Sequence, residues 1–208
     1  MKFNKEFQYN NIKIERRDVL LMMANFNREN STLLLVDLQP RMLDGVHDQE
    51  DSRSKVSSIV KVTKAATYVG VPVVITTIKE QLNGTLLSVI DDIFEDAVVL
   101  ERIVPSFNAY EDAAVQEAID QQDRKNIILV GWWTSVCMTF TALDLIEAGY
   151  TVYGLMDGCG DATPLAHKLG MKRMIQAGVI PVTWMPVTSA WMHDWDDDSA
   201  KMIGSLFE

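Results

Sequence analysis

From Thr32 to Thr183 the chain alternates short, unbroken apolar runs with longer stretches in which apolar residues return every three or four positions. The short runs are Leu33-Leu34-Leu35-Val36, Val73-Val74-Ile75-Thr76, Val98-Val99-Leu100, Ile127-Ile128-Leu129-Val130, Val152-Tyr153-Gly154-Leu155 and Ile180-Pro181-Val182-Thr183. Continuous apolar runs of this length fit strands covered on both faces, as in a parallel sheet. The amphipathic stretches between them predict helices over Ser54 to Tyr68, Asp112 to Asp120, Cys137 to Glu147 and Pro164 to Ala177. Gly70, Gly149 and Gly178 each follow such a stretch, where a left-handed helix cap is wanted. Strand and helix in strict alternation mean repeated βαβ units. Right-handed crossovers then give an α/β fold: a doubly wound, mainly parallel six-stranded sheet with helices on both faces, Rossmann-like in layout. The acidic group Asp194, Asp196, Asp197 and Asp198 reads as the start of a last helix, where carboxylates suit the positive end. Residues 1–30 lack this rhythm and read as an extension to a single domain over 31–208.

Composition narrows the classes. The 208 residues suit one domain, and 48% apolar residues can fill its core. A formal charge of −10 argues against nucleic acid or an anionic membrane as partner, because phosphates would be repelled. The apolar run Val19 to Ala24 is far short of the ~20 residues that span a bilayer. Arg16-Arg17 before it resembles an export signal, but Asn25, Asn27, Arg28, Glu29 and Asn30 follow with no cleavage site, so a cytoplasmic protein is expected. Two cysteines and three scattered histidines form no disulfide framework and no metal-ligand spacing; neither a metal nor a cofactor is expected.

In an open α/β sheet, reactive groups gather at the C-terminal strand ends where strand order reverses. Asp37 ends the first run, and a carboxylate at a buried strand tip is costly unless paired or functional. An ordinary turn or cap is an equal reading. Cys137 closes the stretch Gly131-Trp132-Trp133-Thr134-Ser135-Val136-Cys137, between the fourth run and a helix. There the helix dipole lowers a thiol's pKa, and free first-turn N–H groups can receive an oxyanion. The competing reading is a buried, inert cysteine. Cys159, in the turn Asp157-Gly158-Cys159-Gly160, reads as structural.

Those two segments, with Asn83-Gly84, Asn108-Ala109-Tyr110-Glu111-Asp112 and Arg173 to Gly178 running on to Val182-Thr183-Trp184, resemble the isochorismatase-like cysteine hydrolases over roughly residues 31 to 200. Gly131 to Cys137 is the most specific of these motifs. The resemblance is nearest to a subgroup of small oligomeric bacterial hydrolases. It implies an Asp, Lys, Cys triad, with Asp37 as general base and Cys137 as nucleophile, and a cis peptide at Trp133–Thr134 shaping an oxyanion site. It also implies a small-molecule substrate met by Gln39, Phe107 and Asn108, and a homo-oligomer of four or more copies. No lysine stands in the stretch Glu101 to Phe107 just before Asn108; Arg102 is the basic residue there, and Lys79, just past the second run, is its rival for the third position. A surface ion pair to Glu101 or Glu111 is the alternative reading of Arg102.

The resemblance therefore implies hydrolysis of a small amide-like C–N bond through an acyl-Cys137 intermediate. The missing lysine keeps open a non-catalytic binding or scaffold protein with a decayed triad, and a thiol redox sensor is a third option.

Overall fold

A computed structural model describes residues 7–9, 12–14, 26–47, 49–94 and 98–207. The strands β1 (Phe7–Tyr9) and β2 (Ile12–Ile14) pair antiparallel as a separate ribbon; the rest of residues 1–25, and with it most of the expected extension, lies outside the described residues. The main sheet comprises β3 (Ser31–Val36), β4 (Val73–Ile78), β5 (Val99–Arg102), β6 (Asn126–Gly131), β7 (Thr151–Leu155) and β8 (Ile180–Val182). Its order is β5-β4-β3-β6-β7-β8, and every neighbouring pair is parallel. All six apolar runs become strands, and Leu33 to Val36 and Ile127 to Val130 are wholly buried at the centre. The chain leaves β3 for one side of the sheet, through β4 to β5, then crosses back to pair β6 on β3's other edge. The switch point therefore lies between β3 and β6.

The helices are α1 (Pro40–Asp44), α2 (Gln49–Val69), α3 (Glu80–Asn83), α4 (Ser88–Asp91), α5 (Ala113–Asp120), α6 (Thr139–Glu147), α7 (Pro164–Ala177), α8 (Trp184–Met192) and α9 (Ala200–Ser205). Helix α2 packs with α8, and α6 with α7. Gly70, Gly149 and Gly178 take the left-handed conformation expected of them, with φ of 73°, 89° and 109°. Helix α8 was not legible in the pattern, because Trp184-Met185-Pro186-Val187 continues the apolar run of β8. Pro186 sits in its first turn, where a missing N–H costs nothing. The acidic group precedes α9: Asp197 accepts from the Ser199 N–H at 2.8 Å and pairs with Arg28 at 2.9 Å. Among the described residues no helix is long and apolar enough to cross a membrane.

Candidate active site

At the switch point the two central strands come unusually close. A Cβ on Gly131, the last residue of β6, would stand 2.1 Å from the Val36 carbonyl oxygen, so only glycine fits. One residue beyond β3, Asp37 adopts a left-handed backbone (φ 55°), a region that Asp enters more readily than most residues. Its N–H still donates to the Thr76 carbonyl at 3.0 Å, while its carboxylate is held wholly out of solvent. Thr76 donates its hydroxyl to Oδ1 at 3.2 Å.

The cation beside Asp37 is Arg102, not Lys79. Arg102 ends β5, its backbone paired with Ile78 of β4, and its side chain reaches over that strand. Nη2 meets Asp37 Oδ2 at 2.5 Å with both side chains fully buried, and Nη1 donates to the Ser106 carbonyl at 2.7 Å. Asp112 secures the chain after Arg102, accepting from the N–H groups of Ile103 at 2.8 Å and Val104 at 3.2 Å. The reading of Arg102 as a surface partner of Glu101 or Glu111 is thus excluded by its burial.

After β6 the chain crosses a turn that several side chains pin in place. Trp132 donates its indole N–H to the Gly158 carbonyl and Trp133 to the Met42 carbonyl, each at 3.0 Å. The cis peptide falls at Trp132–Trp133, one bond earlier than the resemblance implied. Trp132 is the last residue tied to the sheet, through its N–H to Val36, whereas Trp133 already accepts helical bonds from Val136 and Met138. The Thr134 N–H is spent on the Gly160 carbonyl at 2.9 Å, which removes it as an oxyanion donor. The Thr134 hydroxyl meets that carbonyl at 3.0 Å and His167 Nδ1 at 2.8 Å. Asp161 accepts from the Ser135 N–H at 2.6 Å. Residues Thr134–Met138 form a π-helical turn that runs into α6, with Cys137 near its end.

Cys137 is 5% exposed and lies near enough to the Asp37 carboxylate for the two to shift each other's titration. Burial, followed by the negative charge of Asp37, pushes its thiol up to about 12, although Arg102 and the Trp133 N–H pull the other way. This corrects the expectation of a thiolate favoured by a helix dipole: desolvation and an adjacent carboxylate outweigh a dipole's partial charge. Burial also raises the Asp37 carboxyl, with Arg102, Cys137 and Thr76 opposing it. Cys159 is fully buried and donates to the Leu155 carbonyl at 3.1 Å; it takes no part in the site.

The Isochorismatase domain model matches residues 31–185. This chain belongs to the isochorismatase family. Among curated relatives, Probable hydrolase YcaC of Escherichia coli is 29% identical over 185 residues, 88% of each chain. The crystal structure of that Escherichia coli YcaC, described as an octameric hydrolase of unknown specificity, superposes with a TM-score of 0.80 at 28% identity over 88% of each chain. YcaC from Pseudomonas aeruginosa shares the fold, with a TM-score of 0.81 at 24% identity over 88% of this chain and 89% of that one. The isochorismatase family of hydrolases, with its parallel six-stranded α/β sheet, is therefore where the chain stands.

In this member a cavity of about 260 Å³ opens onto Cys137 and Arg102, walled by Met42, Leu82, Pro105 and Phe107 among others, with Lys79 at its edge. Phe107, 66% exposed, lines this cavity. Gln39 and Asn108 do not. Gln39 is fully buried, accepting from the Ile78 N–H at 2.9 Å and donating to the Gly84 carbonyl at 2.5 Å. Asn108 donates to Asp144 at 2.6 Å and caps the turn at Tyr110. Both ends of each amide are used within the protein, and neither residue lines the cavity. Sequence reasoning missed Met42 and Leu82, which lie in short helices whose four or five residues show no periodicity.

Proposed function

We propose that this isochorismatase-family protein is a cysteine hydrolase that cleaves a small amide-like C–N bond through an acyl-Cys137 intermediate. The observation that carries the reading is the convergence of three groups: Cys137 and Arg102 line one cavity, and the buried Asp37 carboxylate, paired with Arg102, lies near enough to the thiol to raise its pKa. With the thiol near 12, on the order of one molecule in 10⁵ holds a free thiolate at pH 7, so the proton must leave as the nucleophile attacks. Asp37 is placed to take it, and a carboxyl raised by burial is the stronger base. Sγ bonds to the substrate carbonyl carbon while Asp37 gains the thiol proton. The C–N bond then breaks as Asp37 protonates the departing nitrogen. Water attacks the thioester, Asp37 takes the water's proton, and return of that proton to sulfur restores the thiol. Arg102 cannot shuttle protons; its role is to keep Asp37 ionised. The Trp133 N–H, which lowers the thiol pKa, supports an oxyanion position near the sulfur. The octameric state described for Escherichia coli YcaC further supports a homo-oligomer.

Ammonia release from a panel of small primary amides tests the reading, with Cys137→Ala alongside. Release that stops in the variant, together with an acyl adduct on the Cys137 peptide by mass spectrometry, is the expected result. Full turnover by Cys137→Ala would overturn the acyl-cysteine route, and no release from any amide would overturn the reading in favour of a binding protein.

A further inference from the structure

We infer that Lys79 is a specificity residue of this site, and that the substrate is a small acyl compound carrying a carboxylate or similar anion; this rests on the reading of Cys137 as nucleophile. Lys79 follows directly on β4 with a left-handed backbone (φ 46°), beside the cavity that ends at Cys137. The loop that carries it is rigid. Its carbonyl accepts from Leu82 at 2.8 Å and Asn83 at 2.9 Å, the Asn83 amide donates to the Ile78 carbonyl at 2.7 Å, and Gln39 holds the Ile78 N–H.

Charge accounting around the cavity isolates this lysine. Arg102 and Asp37 cancel as a buried pair, and Cys137 is a neutral thiol. The two nearest carboxylates in sequence are held by other groups than Lys79: Glu80 accepts from the Thr77 hydroxyl at 2.8 Å, and Glu101 from the Glu80 N–H at 3.1 Å. Among the described residues Lys79 forms no ion pair. The cavity is thus lined by one cation that no ion pair holds, on a chain whose overall charge is −10. Its other walls are mainly apolar, from Met42, Ile78, Leu82, Pro105 and Phe107, with Asn83 and Ser106 among them. At about 260 Å³ it falls below the roughly 300–1,000 Å³ of pockets that take drug-sized ligands. A short acyl chain fits that shape, its reacting carbonyl at Cys137 and its anion at Lys79.

Alkylation of Cys137 by two reagents of one chemistry tests this without knowing the substrate. Iodoacetamide and iodoacetate both form a carbon–sulfur bond and expel iodide, and differ in the charge delivered to the cavity. The Cys137 peptide is followed by mass spectrometry. Lys79→Asn keeps a residue that tolerates the left-handed backbone. It should leave the iodoacetamide rate near that of the parent and lower the iodoacetate-to-iodoacetamide ratio by about three- to tenfold. Lys79→Arg should restore the ratio. Raising the salt from 20 mM to 500 mM should shrink the parent's ratio toward that of Lys79→Asn. Taking a ratio within each variant cancels any general loosening of the site, and Lys79→Gln provides a second neutral replacement. An unchanged ratio in both neutral variants, with Cys137 still labelled, overturns the role of Lys79 and leaves the cysteine hydrolase reading standing. Cys137 untouched by either reagent counts against both.

Discussion

The behaviour of Asp37 depends on Arg102 more than on any other residue. Burial alone drives this carboxyl upward, and the guanidinium 2.5 Å away is the largest force opposing it. Arg102→Ala should therefore raise the Asp37 pKa further, and the acid limb of kcat/KM should move to higher pH. Arg102→Lys, which returns the charge without the forked geometry, should recover part of the shift. Stability follows with a definite sign. A carboxyl whose folded pKa lies above its unfolded value binds more protons folded than unfolded within that window. Stability then falls as pH rises from about 4 through the folded pKa, and the cost is full above it. Breaking a buried ion pair on one side typically costs about 3–5 kcal/mol, so urea unfolding of Arg102→Ala should show a larger deficit at pH 8 than at pH 5. An equal deficit at both, with an unmoved acid limb, would mean that Arg102 does not act on Asp37 through its charge. The same variant should slow alkylation of Cys137 at fixed pH, since Arg102 also lowers the thiol pKa.

Helix α7 lies against the turn that carries the nucleophile, and Gly170 is where they touch. A Cβ at this position would meet the Ser135 Cα at 2.7 Å and its N at 2.8 Å, both backbone atoms that cannot rotate aside. Helix propensity alone predicts that Gly170→Ala stabilises α7 by about 1 kcal/mol. Contact with Ser135 predicts the reverse, because the turn from Thr134 to Met138 must shift. The steric cost should win, lowering Tm by several degrees and kcat more than KM; a variant more stable than the parent, with kcat retained, would refute the contact. The helix itself was legible from Pro164 to Ala177, since both ends carry strong signals, Pro164 in the first turn and Gly178 as cap. What α7 backs was not legible, because a glycine within a helix says nothing about which backbone approaches it. The same limit explains the site. Asp37 could be read because it closes an apolar run, and Cys137 because it stands between such a run and a helix, but the polar ends of Gln39 and Asn108 are used up largely by Ile78, Gly84 and Asp144, contacts distant in sequence. The thiol's high pKa was hidden for a related reason. Spacing shows the helix dipole, whereas desolvation depends on what packs over the sulfur.

Around the whole molecule, large apolar side chains collect beside the edge strand β5 and the loop after it. Val98 is 75% exposed, Ile103 89% and Phe107 66%, with Val104 next to them. β5 is also an outer strand of the sheet, with one side unpaired by any neighbour in the described chain. An edge with exposed apolar residues is a surface that proteins usually cover. Since Phe107 lines the cavity as well, a second copy seated there would stand at the mouth of the site. The opposing force is electrostatic, because each copy carries a formal charge of −10 and like charges repel. Apolar contact survives added salt while repulsion between exposed charges is screened over about 8 Å at physiological ionic strength. Light scattering at micromolar concentration should therefore report a homo-oligomer of four or more copies that persists or strengthens as salt rises from 20 to 300 mM. Ile103→Asp puts a charge on this surface without entering the cavity wall or the Arg102 pair. It should shift the mass toward smaller species while the circular dichroism stays that of the parent. A parent protein that is monomeric throughout would refute the assembly, and an oligomer indifferent to Ile103→Asp would place its contacts on another face.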